Sequence, residues 1–125
     1  MTKTFEEKLA EAKAAVSAVS PQEANQRKKS DPEIIFIDPR SADDIRATGI
    51  IPGALNLQLN DLSEKPDEDL LQDLISRSRP IITSCGMGPM GALAAHALKQ
   101  RGFSNVNFID GGTQGWLDAG YATSR

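Results

Sequence analysis

The sequence contains few of the residues that form disulfides or bind metal ions in small proteins. Its 125 residues include one cysteine, Cys85, and one histidine, His96. One cysteine cannot form an internal disulfide, and one cysteine with one histidine is too few for a Cys/His zinc site. A Ser-His-Asp triad would have to use His96. If the protein performs chemistry with its own side chains, the single thiol is therefore the first candidate.

The sequence also lacks the features that direct a chain to nucleic acid, to a membrane or to secretion. Its formal net charge is −3, which argues against a general nucleic-acid binder. No apolar run approaches the roughly 18 residues of a membrane span. The first ten residues contain four charged side chains and no apolar stretch typical of a signal peptide. We therefore expect a soluble cytoplasmic protein with no nucleic-acid or membrane partner.

What the chain does contain is an alternation of apolar, strand-like runs with helical segments. Hydrophobic residues make up 39% of the sequence, enough for the core of one domain. A continuous apolar run at 34–37 is typical of a parallel strand covered on both faces. We predict strands at 34–37, 54–57, 81–83 and 105–109, and helices at 4–19, 21–29, 42–47, 67–78, 92–101 and 113–119. This pattern indicates an α/β fold with a mainly parallel sheet, and a ligand beyond the carboxyl ends of the strands.

Residues 4–19 predict an N-terminal helix with a narrow apolar stripe. Phe5, Leu9, Ala12 and Val16 recur at helical spacing. Because the stripe is thin and contains alanine, we expect the helix to lie on the surface without forming a core. The alternative is a contact with a partner or with a second copy in a homo-oligomer. We accordingly divide the chain into an N-terminal helical extension at 1–18 and a main domain at 19–125.

The most informative segment places the cysteine between a buried strand and an alanine-rich helix. Cys85 follows the strand at 81–83 and precedes a glycine-rich turn. The free amides and the dipole of a helix N-terminus favour negative charge, so we expect a lowered pKa for the Cys85 thiol. Glycines in the turn let backbone amides point inward as an anion cradle. The pattern by itself leaves open a buried structural cysteine, a phosphatase, an arsenate reductase and a sulfurtransferase.

Short motifs follow one another along the chain in a fixed order. They are SPQEA at 20–24, IDPR at 37–40 followed by Asp44, GIIPGALN at 49–56, CGMGPMG at 85–91 and GGTQGW at 111–116. Together they resemble single-domain rhodaneses, a family of sulfurtransferases. The family has an opening helix, a strand followed by D-x-R-x-x-x-acid, a G-H-I-P-G-A-x-N stretch, an active loop C-x-x-G-x-R and a closing G-G-x-x-x-W. Each motif is weak alone, but their order and spacing over 19–121 are specific.

The resemblance implies a five-stranded, mainly parallel sheet with helices on both faces and a ping-pong transfer of sulfur. Cys85 would be the catalytic nucleophile, taking a sulfane sulfur from thiosulfate, mercaptopyruvate or a persulfide. Its persulfide would then pass the sulfur to cyanide, to a thiol or to a protein acceptor, without a metal or an organic cofactor. The substrate-binding loop would consist of Gly86, Met87, Gly88, Pro89, Met90 and Gly91.

Three positions depart from the family pattern. Met90 stands where the family often has arginine, and Pro89 removes one backbone amide from the loop. An uncharged loop should bind dianionic thiosulfate less well than a basic loop does. Ile50 replaces a histidine that is more often structural than catalytic.

Other polar and aromatic residues of the motifs are predicted to have structural roles. We expect Asp38 to cap the turn after its strand and Arg40 to pair with Asp44. We expect His96 to lie on a helix face without acting as a base. Trp116 is expected to pack the closing helix near the loop.

Two further functions stay open. The first is a rhodanese-like binding or regulatory module with little turnover, suggested by the missing loop arginine and by the N-terminal helix. The second is a cysteine phosphatase or an arsenate reductase. Those enzymes need a loop arginine to clamp an oxyanion, and no arginine or lysine follows Cys85 before Lys99.

Overall fold

The computed structural model describes residues 4–56, 80–84, 89–100, 102–103 and 105–124. Its helices are α1 (Phe5–Ala15), α2 (Pro21–Ser30), α3 (Ala42–Thr48), α4 (Pro89–Gln100) and α5 (Gly112–Asp118). Its strands are β1 (Ser17–Val19), β2 (Ile35–Asp38), β3 (Leu55–Asn56), β4 (Ile81–Thr83) and β5 (Val106–Ile109). The predicted helix at 67–78 lies outside the described residues.

The strands form one parallel sheet in the order β1-β5-β4-β2-β3. The central strand is β4, whose Thr83 lies opposite Ile37 of β2 and Phe108 of β5. The predicted α/β fold with a parallel five-stranded sheet is confirmed. Because parallel strands all end at the same edge, β4 delivers the chain to the centre of the carboxyl edge.

Alternate side chains of the central strands pack into two separate cores. Ile37 and Ile81 lie in the first core, which α1 and α4 cover. Phe36 and Ile82 lie in the second core, which α2 and α5 cover. Helices therefore cover both faces of the sheet, as predicted, and this explains why the strands are apolar without interruption.

The N-terminal helix is shorter than predicted and packs more deeply. α1 ends at Ala15, and residues 17–19 instead form β1, which pairs with β5. The prediction of a helix up to residue 19 is wrong because pairing at the sheet edge overrides local propensity. Ala12 and Val16 lie in the first core, so the expectation that this helix forms no core is also wrong. The small side chains of α1 and of α4, where Ala92 and Ala95 are fully buried, suit direct helix packing.

Most helix starts follow the signals in the sequence. The hydroxyl of Ser20 accepts a hydrogen bond from the amide of Glu23 at 3.0 Å, and Pro21 is the first residue of α2. α4 begins at Pro89, earlier than predicted, because proline fits the first turn of a helix.

In the part of the chain that is described, no helix has the length and apolar composition needed to cross a membrane.

The C-terminal tail closes against the segment between α3 and β3. Ile50 and Ser124 form an antiparallel bridge with two N–H···O bonds of 2.8 Å. The hydroxyl of Thr123 donates to the carbonyl of Thr48 at 2.8 Å. Ile50, which replaces the histidine of the family pattern, thus anchors the tail through its backbone.

Candidate active site

The carboxyl edge of the sheet is where the chain leaves each parallel strand, and ligands of such sheets bind at this edge. The central strand β4 ends there at Thr83. The amide of Ser84 still donates to the carbonyl of Ile37 at 2.9 Å, so the extended pairing continues one residue beyond β4. Cys85 is the next residue in the sequence.

A buried hydrogen bond ties the end of β4 to the first turn of α4. The hydroxyl of Thr83 donates to the carbonyl of Gly91 at 2.5 Å, and both residues are buried. The strand end and the helix start are therefore fixed against each other on either side of residues 85–88. The N-terminus of the helix, which starts at Pro89, faces the same edge and brings the positive end of its dipole there.

The structure describes only part of the predicted site. Cys85, Gly86, Met87 and Gly88 lie outside the described residues. Pro89 and Met90 belong to the first turn of α4, and Gly91 is buried in the same turn. The assignment of Cys85 as nucleophile and of 86–91 as the substrate-binding loop therefore stays a prediction.

A buried ion pair fixes the chain after the neighbouring strand β2. Nε and Nη2 of Arg40 donate to the two carboxylate oxygens of Asp38 at 2.9 and 2.7 Å. The backbone amide of Arg40 donates to Asp38 at 3.0 Å, which confirms the predicted cap of this turn. The remaining donors of the guanidinium reach Thr48 Oγ1 at 2.7 Å and the Gly49 carbonyl at 3.0 Å.

The predicted pairing of Arg40 with the carboxylate of Asp44 is wrong. The guanidinium approaches only the backbone carbonyl of Asp44, at 3.4 Å. The side chain of Asp44 is exposed on α3, whereas Asp38 is fully buried and needs the charge of the arginine. Arg40 therefore has a structural role, as expected, but its partner is Asp38.

Asn56 also stabilises the turn that follows β2. Its amide nitrogen donates to the carbonyls of Asp38 and Arg40 at 2.9 and 2.7 Å. Because Asn56 belongs to β3, the strand that pairs with β2, these two bonds hold the turn against the neighbouring strand. Sequence reasoning placed Asn56 in a motif but assigned it no role, because an asparagine's backbone partners depend on the folded chain.

Two buried hydroxyls near the carboxyl edge were missed by sequence reasoning. Ser84 Oγ and Thr113 Oγ1 are fully buried, and neither has a hydrogen-bond partner among the residues that are described. Serine and threonine are common in exposed positions, so only the structure could single out these two. Thr83, which is buried beside Ser84, has its hydroxyl paired.

Trp116 packs α5 onto the second core, which confirms its predicted packing role. Its predicted position near the loop stays a prediction, because residues 85–88 lie outside the described residues. Its ring meets Phe36 at a centroid distance of 6.2 Å and Tyr121 at 4.9 Å. Its Nε1 donates to the carbonyl of Ala122 at 2.9 Å. His96 lies half-buried on α4.

Comparison with known proteins agrees with this architecture. The sequence profile of the family described as Rhodanese-like domain matches residues 20–119. A rhodanese domain-containing protein of Drosophila melanogaster is 29% identical over 92 residues, which cover 68% of this chain and 83% of that protein.

Two solved structures of similar fold carry different descriptions. The polysulfide-sulfur transferase homodimer of Wolinella succinogenes is 26% identical with a TM-score of 0.73, over 94% of this chain and 84% of that chain. A Rhodopseudomonas palustris protein of unknown function, described as a possible tyrosine phosphatase, is 25% identical with a TM-score of 0.85. That match covers 98% of this chain and 96% of the other.

Proposed function

The chain belongs to the rhodanese-like domain family, and from this premise we propose that it is a sulfurtransferase that carries sulfur as a persulfide on Cys85. The observation that carries the proposal is the hydrogen bond between Thr83 and Gly91. It fixes β4 and the N-terminus of α4 on either side of a segment whose first residue is the only cysteine of the chain. The similarity to a sulfur transferase of Wolinella succinogenes supports the same class of reaction.

The N-terminus of α4 offers a physical reason for an activated thiol. A helix N-terminus presents unpaired amides and the positive end of its dipole, which stabilise a thiolate over a thiol. We therefore expect the pKa of Cys85 to lie below its ordinary value. The thiolate is the form that attacks sulfur.

The transfer can be written with all atoms and electrons accounted for. The thiolate of Cys85 attacks the outer sulfur of a donor R–S–SH, forming a new S–S bond. The S–S bond of the donor breaks, its electron pair leaves as RS⁻, and the proton stays on the transferred sulfur until the persulfide releases it to water and becomes an anion. In the second half, an acceptor thiolate or cyanide attacks that outer sulfur and the electron pair returns to Cys85.

The uncharged loop favours some donors over others. Residues 86–91 contain no arginine or lysine, so a dianion such as thiosulfate gains no ion pair there. We therefore expect a persulfide or a polysulfide to be a better donor than thiosulfate, with mercaptopyruvate as the third candidate. The acceptor is cyanide in the assay and a thiol or a protein in the cytoplasm.

A donor screen tests the proposal. The protein and Cys85→Ser are incubated with thiosulfate, mercaptopyruvate or a low-molecular-weight persulfide, and thiocyanate formation from cyanide is measured. We expect turnover with the wild type only, with the persulfide ahead of thiosulfate. Equal rates for the wild type and Cys85→Ser would contradict the proposal. No turnover with any donor would favour the binding or regulatory module.

The similarity to a protein described as a possible tyrosine phosphatase makes phosphatase activity the second candidate. An oxyanion clamp needs a free arginine, and residues 86–91 contain none. Arg40 cannot supply one, because its guanidinium is buried and held by Asp38, Thr48 and Gly49. We therefore expect no hydrolysis of p-nitrophenyl phosphate above that of Cys85→Ser.

We also propose that the protein is a homodimer, as the sulfur transferase of Wolinella succinogenes is. α1 supplies the surface, because Phe5 is 57% exposed while the opposite side of the helix packs on α4. Light scattering on the wild type and on Phe5→Ser tests this. We expect a dimer that dissociates in the variant, and a monomeric wild type would contradict it.

A further inference from the structure

The carboxyl end of the second core holds two hydroxyls that have no hydrogen-bond partner among the described residues. Ser84 Oγ and Thr113 Oγ1 are fully buried and make no hydrogen bond within the described parts of the chain. Buried polar groups in proteins are nearly always paired, and an exception calls for a functional reason. A group that arrives with the substrate is one such partner.

The position of Ser84 follows from strand alternation. Its amide pairs with the carbonyl of Ile37, so Ser84 is extended like the strand that precedes it. Side chains two residues apart on a strand share a face, and Ile82 lies in the second core. Ser84 therefore lies on the face that α5 covers, directly before Cys85 in the sequence.

The position of Thr113 follows from helical periodicity. Residues three apart on a helix share a face, and Trp116 lies in the second core together with Ile82. α5 begins at the carboxyl edge and runs back along the sheet, so Thr113 is nearer that edge than Trp116. Both hydroxyls thus lie on the face of the sheet that carries the second core, at the carboxyl end of that core. Cys85 is the next residue after Ser84 in the sequence.

We propose that Ser84 and Thr113 bind the sulfur that is transferred at Cys85, each donating a hydrogen bond to it in its anionic form. The inference rests on the proposed function and names its substrate class. Hydroxyls donate without carrying charge, so they match a singly charged persulfide sulfur better than a dianion. The two hydroxyls thus supply hydrogen-bond donors at a site whose loop, residues 86–91, contains no arginine.

The proposal predicts an unusual combination of effects. An unpaired buried hydroxyl destabilises the folded protein, so its removal should raise the melting temperature. The same removal should slow sulfur transfer, because donor and persulfide lose a hydrogen bond. Opposite effects on stability and activity are typical of residues kept for function.

The experiment compares Ser84→Ala, Thr113→Val and the double variant with the wild type. Thr123→Val is the matched control, because the hydroxyl of Thr123 is paired with the carbonyl of Thr48. The melting temperature is measured, and the rate at which Cys85 gains one sulfur from a low-molecular-weight persulfide is followed by intact mass. We expect each site variant to melt a few degrees higher and to react about tenfold more slowly, as for a lost bond to a charged group. Thr123→Val should melt lower and react normally.

Two results would overturn the inference. An unchanged rate in Ser84→Ala and Thr113→Val would show that the hydroxyls do not touch the reacting sulfur. A lower melting temperature in both would show that the hydroxyls are paired within the protein. A wild type that gains no sulfur from any donor would instead overturn the proposed function and this inference with it.

Discussion

Replacing Arg40 by alanine removes the centre of a buried hydrogen-bond network at the end of β2. The guanidinium is 3% exposed, and its partner Asp38 is fully buried. It also holds Thr48 and Gly49, and Asn56 closes the same turn from β3. In Arg40→Ala the carboxylate of Asp38 would remain buried without a counter-charge.

The size of the effect follows from that burial. Breaking a buried ion pair by removing one partner costs about 3–5 kcal/mol. A domain has about 5–15 kcal/mol of stability in total, so the variant should be marginally folded. With an unfolding entropy of about 2.1 cal/mol/K per residue, the melting temperature should fall by roughly 10–20 °C.

Urea and thermal unfolding measure this loss, and the chain offers a matched control. Arg46 pairs with Asp43 on the surface of α3, where both side chains are mostly exposed. Arg46→Ala should therefore cost at most about 1 kcal/mol. A loss below about 1 kcal/mol in Arg40→Ala, or equal losses in both variants, would refute the role given to the buried pair.

Three further substitutions test local features of the fold by thermal unfolding. Gly49→Ala should destabilise the protein by at least about 1–2 kcal/mol, because Gly49 has φ of +83° and an added Cβ would collide with Thr123; an unchanged midpoint would contradict this. Ser20→Ala should cost about 1 kcal/mol by removing the acceptor for the amide of Glu23, and a neutral result would show that the cap contributes nothing. Val16→Ala should cost about 2 kcal/mol because Val16 is buried in the first core, whereas a surface extension would tolerate it.

The sequence predicts those parts of the fold whose signal is local. The apolar run that became β2 had to be covered on both faces, and the Ser-Pro-x-Glu start of α2 carries its own cap. β1 was missed because its three residues become a strand only by pairing with β5, which is distant in sequence. Alanine spacing could not show that Ala12 would be fully buried, since this depends on α4 packing against it.

The candidate site also combines features that have a local sequence signal with features that depend on the folded chain. Cys85 and its loop are recognisable because motif order and residue type are local properties of the sequence. The partner of Arg40 was predicted wrongly because two aspartates are near it in sequence and only the fold buries one of them. The hydroxyls of Ser84 and Thr113, which find no partner in the described part of the chain, have no signal in the sequence, because burial and hydrogen bonding are properties of the folded chain.

The most direct test of the account is the intact mass of the protein after incubation with a low-molecular-weight persulfide. The wild type should gain one sulfur atom and lose it on reduction or on addition of cyanide. The Cys85→Ser variant should keep its original mass under the same conditions. A folded wild type with a titratable thiol that gains no sulfur would contradict the account. An equal gain in Cys85→Ser would contradict it as well.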